Sequence, residues 1–205
     1  VCRAGAMTLA ELAARRDTAG LRSTLGNTMR AVIALAVPAA VGLILLGQPL
    51  LSVLYERGAF DASATEAVVV ALRFYALGLV SHTILELVAR AFFAQQNTIT
   101  PLWVAAAAAA LNIVLALLLM RPLGYGGLAL ANSVAVTVEV IVLLMLLRPR
   151  LHGVQGRQTL AALGRVLVAA ALMGLAIHGA LTLATQLGLA GLPTLLLAAV
   201  VGAVV

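Results

Sequence analysis

Lysine is absent, and cysteine occurs once, at Cys2. A single thiol excludes an internal disulfide and a cysteine-based zinc site. Charge of either sign is sparse: 10% of the 205 residues are charged, against about 25% in a soluble domain. Aromatics make up 4%, with one Trp, so there is no basic platform interleaved with stacking rings for nucleic acid. What is abundant is apolar. Such residues make up 63%, and the mean hydropathy is +1.13. A soluble fold of this size has too little interior for that load. The chain reads as a polytopic membrane protein, which excludes a soluble enzyme, a nucleic-acid-binding domain and a disordered tail.

All thirteen positive residues are Arg. They give a pI near 11.0, but most lie at the ends of apolar runs, where membrane topology is a sufficient reason for them. A bilayer core of about 30 Å needs about 20 apolar helical residues. The pattern predicts an all-α transmembrane bundle of about six spans. Residues 1–30 read as the end of a preceding helix plus a cytoplasmic interfacial helix and turn. Residues 31–147 hold four spans, near 31–55, 64–93, 102–120 and 127–147. Residues 148–165 form a basic cytoplasmic loop, and 166–205 two further helices, the last one cut short. Val at position 1 and the uncharged apolar stretch at the other end read as cuts in a longer protein. Pro38 and Pro49 interrupt the first span, which a membrane helix tolerates. Asp61 or Ser63 is placed to cap the second.

Loop charge sets orientation. Residues 1–30 carry five Arg against two acids, and 148–165 carry four Arg and no acid. The alternate loops at 56–66, 121–126 and 186–192 hold two Arg and three acids together. An even number of spans separates the two Arg-rich segments, so the positive-inside rule places both in the cytoplasm.

Ionisable groups inside spans are the candidates for function, because each costs roughly 2.5–3.5 kcal/mol at a helix centre. Arg73 lies seven residues past Glu66, about 10 Å below the outer interface. It lines a path for an anionic substrate, or it snorkels to the surface. His82, Glu86 and Arg90 follow an i, i+4, i+8 spacing that strings them along one helix face. They make either a self-neutralising stripe or the wall of a wet cavity. Glu139 sits halfway along its span. It is a proton or cation site, with Arg73 as a candidate partner on a neighbouring helix, or a polar contact between helices. Asn112 and Asn132 are weaker candidates for an ion site, since such residues are more often interhelical hydrogen-bond glue than ligands. His178 stands alone on an apolar helix and reads as structural. No HExxH, GxSxG, Walker loop or Cys/His cluster occurs, so no catalytic residue, metal or cofactor is expected.

Three stretches carry a resemblance. They are Pro38-Ala-Ala-Val-Gly-Leu with Gln48-Pro-Leu-Leu-Ser-Val-Leu-Tyr-Glu-Arg-Gly-Ala-Phe60, then Arg90-Ala-Phe-Phe-Ala-Gln-Gln-Asn-Thr-Ile-Thr-Pro101, and Pro122-Leu-Gly-Tyr-Gly-Gly-Leu-Ala-Leu-Ala131. In order and spacing they resemble the MurJ (MviN) lipid II flippases, within the larger group of multidrug, oligosaccharidyl-lipid and polysaccharide exporters. The match covers residues 1–150 well, and 151–205 only as two extra helices. The resemblance implies two six-helix lobes around a cavity plus two C-terminal helices, with this chain running from the end of helix 8 into helix 14 as the C-terminal lobe. It further implies a bacterial inner-membrane protein that moves undecaprenyl-diphosphate-linked peptidoglycan precursor to the outer leaflet by alternating access. Its partners would be that lipid-linked oligosaccharide, membrane lipids and the N-terminal lobe. The family's cavity arginines lie mainly upstream of residue 1. Asn97 stands where the motif usually has Asp. Some members bind sodium through helices 7, 11 and 12. Asn112 falls at one such place, and Ala116, one turn later, offers no carboxylate. A related polysaccharide or drug exporter and a non-transporting membrane scaffold remain as alternatives.

Overall fold

The computed structural model describes residues 17–55, 62–150, 156–186 and 202. Every element among them is helix: α1 (Thr18–Tyr55), α2 (Ala62–Ala94), α3 (Ile99–Arg150) and α4 (Gly156–Gln186). All four are long and apolar enough to cross a membrane.

Asp17 caps α1, its Oδ1 accepting from the Gly20 N–H at 2.8 Å. The helix then runs without a break through Pro38 and Pro49. Each Pro removes the N–H that would bond four residues back, to Ala34 and Leu45. Residues 18–30 are therefore the first turns of the same rod. The expected turn between an interfacial helix and the first span is not there. The Arg-rich stretch at 148–165 is also mostly helical, since α3 reaches Arg150 and α4 starts at Gly156. Length explains both corrections. A 38-residue helix spans about 57 Å, so its charged end stands clear of the hydrocarbon while remaining helical.

The 52 residues of α3 would span about 78 Å as one rod, more than twice the bilayer core. They do not form one rod. Gly124 has φ 53° and ψ −133°, a corner of the type II′ turn that suits Gly. Beyond it, Gly127 packs against the Leu119 carbonyl. Trp103, Val104 and Leu111 on the first arm share a pocket with Val138 and Val142 on the second, as an antiparallel hairpin requires. The described residues thus hold four helices, one of them with two arms. The sixth span expected from about 193 lies outside them, apart from residue 202.

Direction alternates along the chain. Leu21, Leu25 and Met29 of α1 pack on Leu87, Val88, Ala91 and Phe92 of α2, and both sets meet Leu143 and Leu147. At the other end Gly47 meets Leu72: a Cβ on Gly47 would stand 2.7 Å from Leu72 Cδ2. So α1 and α2 are antiparallel. Ser81 pairs with Thr137, 56 positions on, and Leu87 and Val88 with Leu143, so α2 and the second arm of α3 are parallel. α4 runs parallel to α1, with Arg30 Nη1 donating to Gln158 Oε1 at 3.3 Å and Met173 and Ile177 packing on Val41 and Leu45. The start of α1, the α2–α3 turn and the start of α4 therefore share one end of the bundle. Arg22, Arg30, Arg90, Arg148 and Arg165 gather there. In the turn, Asn97 Oδ1 accepts from the Thr100 N–H at 3.2 Å, the acceptor role an Asp would fill.

Small residues are buried alongside the large side chains of the Leu25–Phe92–Leu147 core, and many other large ones face outward. Ala76, Ala91, Ala129, Ala131, Ala135 and Ala170 are buried, whereas Leu35, Leu117, Leu118 and Leu175 are exposed. Large apolar side chains on the outer face suit helices whose surroundings are as apolar as their cores.

Candidate functional site

The polar groups of the spans converge on α2, which has a different neighbour on each side. Toward α3 it carries a ladder. Ser133 Oγ donates to the Phe74 carbonyl at 2.7 Å. Ser81 and Thr137 join their hydroxyls at 2.9 Å. His82 Nε2 meets Asn132 Oδ1 at 3.1 Å. Gly78 makes the close approach possible, since a Cβ there would lie 2.9 Å from Ser133 Cβ. The His82 ring is also near enough to act electrostatically on Glu139.

Glu139 itself lies in a pocket between the two arms of α3, lined by Trp103, Val104, Ala107, Ala108 and Leu111 from the first arm. It does not pair with Arg73. The offset of 56 between α2 and this arm sets Glu139 level with Thr83, about 15 Å from Arg73 along the axis. Asn112 Oδ1 is buried, with no hydrogen-bond partner among the described residues.

Toward α1, two cavities flank the contact of Gly47 with Leu72. The inner one, about 510 Å³, is lined by Thr28, Val32, Leu35, Leu79, Thr83, Glu86 and Arg90 among others. Arg90 Nη2 stands 3.8 Å from Glu86 Oε2, both largely exposed. The expected single stripe of His82, Glu86 and Arg90 is thus divided: His82 turns to α3 and the other two to this groove. Four residues advance about 40° beyond a full turn, so over eight the stripe drifts onto another face. The outer cavity, about 620 Å³, is lined by Gln48, Pro49, Ser52, Thr65, Glu66, Val69, Val70 and Arg73. His178 lies on α4, away from both.

Ser81, Ser133 and Thr137 escaped the reading of charged residues alone. Their signal was the run of Asn132, Ser133, Thr137 and Glu139 inside one span. Among the described residues no group of three or more His, Cys, Asp or Glu is placed to hold a metal ion.

Comparison with known proteins places this geometry. A family model described as Lipid II flippase MurJ matches residues 7–198. A probable lipid II flippase MurJ of Rhizobium tropici is 36% identical over 143 residues, covering 70% of this chain and 27% of that relative. Its counterpart in Haemophilus influenzae is 33% identical over 122 residues, covering 60% of this chain and 24% of the relative. A solved lipid II flippase MurJ in an inward closed conformation superposes with a TM-score of 0.72 at 25% identity, over 96% of this chain and 40% of that one. The chain spans about a quarter of the length of the curated relatives it matches.

Proposed function

The chain belongs to the lipid II flippase MurJ family, and from that premise we propose that it forms the C-terminal lobe of a flippase in the bacterial inner membrane. The protein carries undecaprenyl-diphosphate-linked peptidoglycan precursor from the cytoplasmic to the outer leaflet. Desolvating a diphosphate in bare hydrocarbon is prohibitive, so the transporter must offer a wet, polar route that opens to one side at a time. The observation that supports this is the inner groove between α1 and α2. Glu86 and Arg90 line it at the arginine-rich end, where a headgroup would enter. The Glu86–Arg90 pair keeps the groove neutral overall while offering a guanidinium for oxyanions and a carboxylate for sugar hydroxyls. The His82–Asn132 and Ser81–Thr137 contacts hold α2 against α3, so that the two move as one body. No covalent step is needed, and the work is positioning and desolvation.

The test is reconstitution. Vesicles bearing the whole protein that contains this chain should move lipid II between leaflets faster than empty vesicles, and vesicles with residues 1–205 alone should not. A whole protein no faster than empty vesicles would refute the reading.

A further inference from the structure

The outer cavity has a feature that transport through a central path does not require. It lies beside the contact of Gly47 with Leu72, and Arg73 is its innermost lining residue on α2. Glu66 lines the same cavity two helical turns farther out, about 10 Å along the axis. No acidic side chain among the described residues pairs with Arg73. Gln48 and Ser52 line the wall along this stretch, Ser52 Oγ donating to the Pro49 carbonyl, and Thr65 lies at the mouth beside Glu66. From the membrane centre outward the cleft presents the Arg73 cation, then Gln48 and Ser52, then the Glu66 carboxylate at the mouth.

That order is the complement of a lipid headgroup in the leaflet opposite the arginine-rich ends. In such a lipid the phosphate follows the tails, and the ammonium or hydroxyl group of the head lies farther out. We infer that the cleft between the outer ends of α1 and α2 binds a lipid-borne phosphate ester, with Arg73 on the phosphate and Glu66 on the donor group of the head. A guanidinium suits phosphate because its planar fork gives paired, charge-assisted bonds. A carboxylate at the mouth selects heads with N–H or O–H donors over those without. A snorkelling Arg73 would not need Gln48 beside it in the same cleft. Two lipids share the chemistry, a glycerophospholipid of that leaflet and an isoprenyl diphosphate. The site stands whether or not the whole protein transports lipid II.

The test is calorimetric titration of the chain in phosphatidylcholine nanodiscs. The probes are dihexanoyl phosphatidylethanolamine, dihexanoyl phosphatidylglycerol, a short-chain isoprenyl diphosphate and inorganic phosphate. At least one lipid-borne probe should bind to wild type with one-site stoichiometry. Arg73→Gln should weaken it about tenfold, the loss expected for a charged hydrogen-bonding group. Arg73→Lys should keep part of the affinity, and its melting profile guards against a folding defect. Glu66→Gln should weaken phosphatidylethanolamine more than inorganic phosphate. Arg121→Gln, a cation at the same end of the bundle outside the cleft, should change nothing. Binding of the glycerophospholipids identifies the lipid of the leaflet as ligand, and binding of the isoprenyl diphosphate alone identifies the transported class. Equal affinity in wild type and Arg73→Gln, binding of inorganic phosphate only, or no binding at all would overturn the inference.

Discussion

His82 and Asn132 meet across α2 and α3, Nε2 to Oδ1 at 3.1 Å, one turn inward of the Gly78–Ser133 approach. Neither belongs to a charged pair, yet together they tie the helix that lines both α1-side cavities to the hairpin behind it. With the Asn oxygen as acceptor, the ring donates from Nε2. The Ser81–Thr137 contact lies beside it, so the seam holds in register at two successive levels.

Asn132→Ala should therefore loosen the α2–α3 seam. Interhelical hydrogen bonds in membranes are worth about 0.6 kcal/mol on average and up to about 1.7. The loss should fall toward the upper end, because the partly buried His82 ring is left without its partner. Unfolding of the chain in micelles would measure it. Asn132→Asp should cost less than Asn132→Ala, because it keeps an acceptor for Nε2. An Ala variant as stable as wild type would show that the seam rests on packing alone.

The bundle was legible in the sequence for a physical reason. Apolar run length and arginine placement both answer to bilayer thickness, which is nearly constant. Charge parity placed the α2–α3 turn and the α3–α4 junction on one side, and the parallel pairing of Arg30 with Gln158 at the start of α4 has the same sense. The details that escaped depend on neighbours. The His82, Glu86 and Arg90 spacing defines a line on one helix, but which side of that line meets α1 and which meets α3 is decided by packing at Gly47 and Gly78. Glu139 and Arg73 looked like partners because both were isolated charges. Only the register of 56 between Ser81 and Thr137 shows them at different levels. The extent of helix beyond the hydrocarbon, as at residues 18–30, leaves no mark in hydropathy.

Glu139 gives a second measurable consequence. Its pocket is formed by Trp103, Val104, Ala107, Ala108, Leu111, Val138 and Val142, so an apolar side chain of similar size fits the surroundings better than a carboxylate. Glu139→Leu should stabilise the hairpin of α3 by about 1 kcal/mol, since Glu139 is half-buried and a charged side chain at a span centre costs roughly 2.5–3.5 kcal/mol. The same micelle unfolding assay reads it. In the whole protein the variant separates two roles. Unchanged lipid II transport would make Glu139 a structural contact, whereas lost transport with a gain in stability would make it a working group kept at a cost.

Gly124 decides whether residues 99–150 are two spans or one rod. At φ 53° and ψ −133° an L side chain is strained, which typically costs about 1–3 kcal/mol. Gly124→Ala should destabilise the chain by that order although nothing lies within 4 Å of the new Cβ. Gly164→Ala is the matched control. It too has open space around the Cβ, but it lies inside α4, where Ala is favoured over Gly by roughly 0.8–1.0 kcal/mol. The same chemical change should thus lower stability at one site and raise it at the other. If both substitutions stabilise, the corner at Gly124 is absent and the α3 hairpin falls, because steric crowding could not explain a difference or its loss at two uncrowded sites.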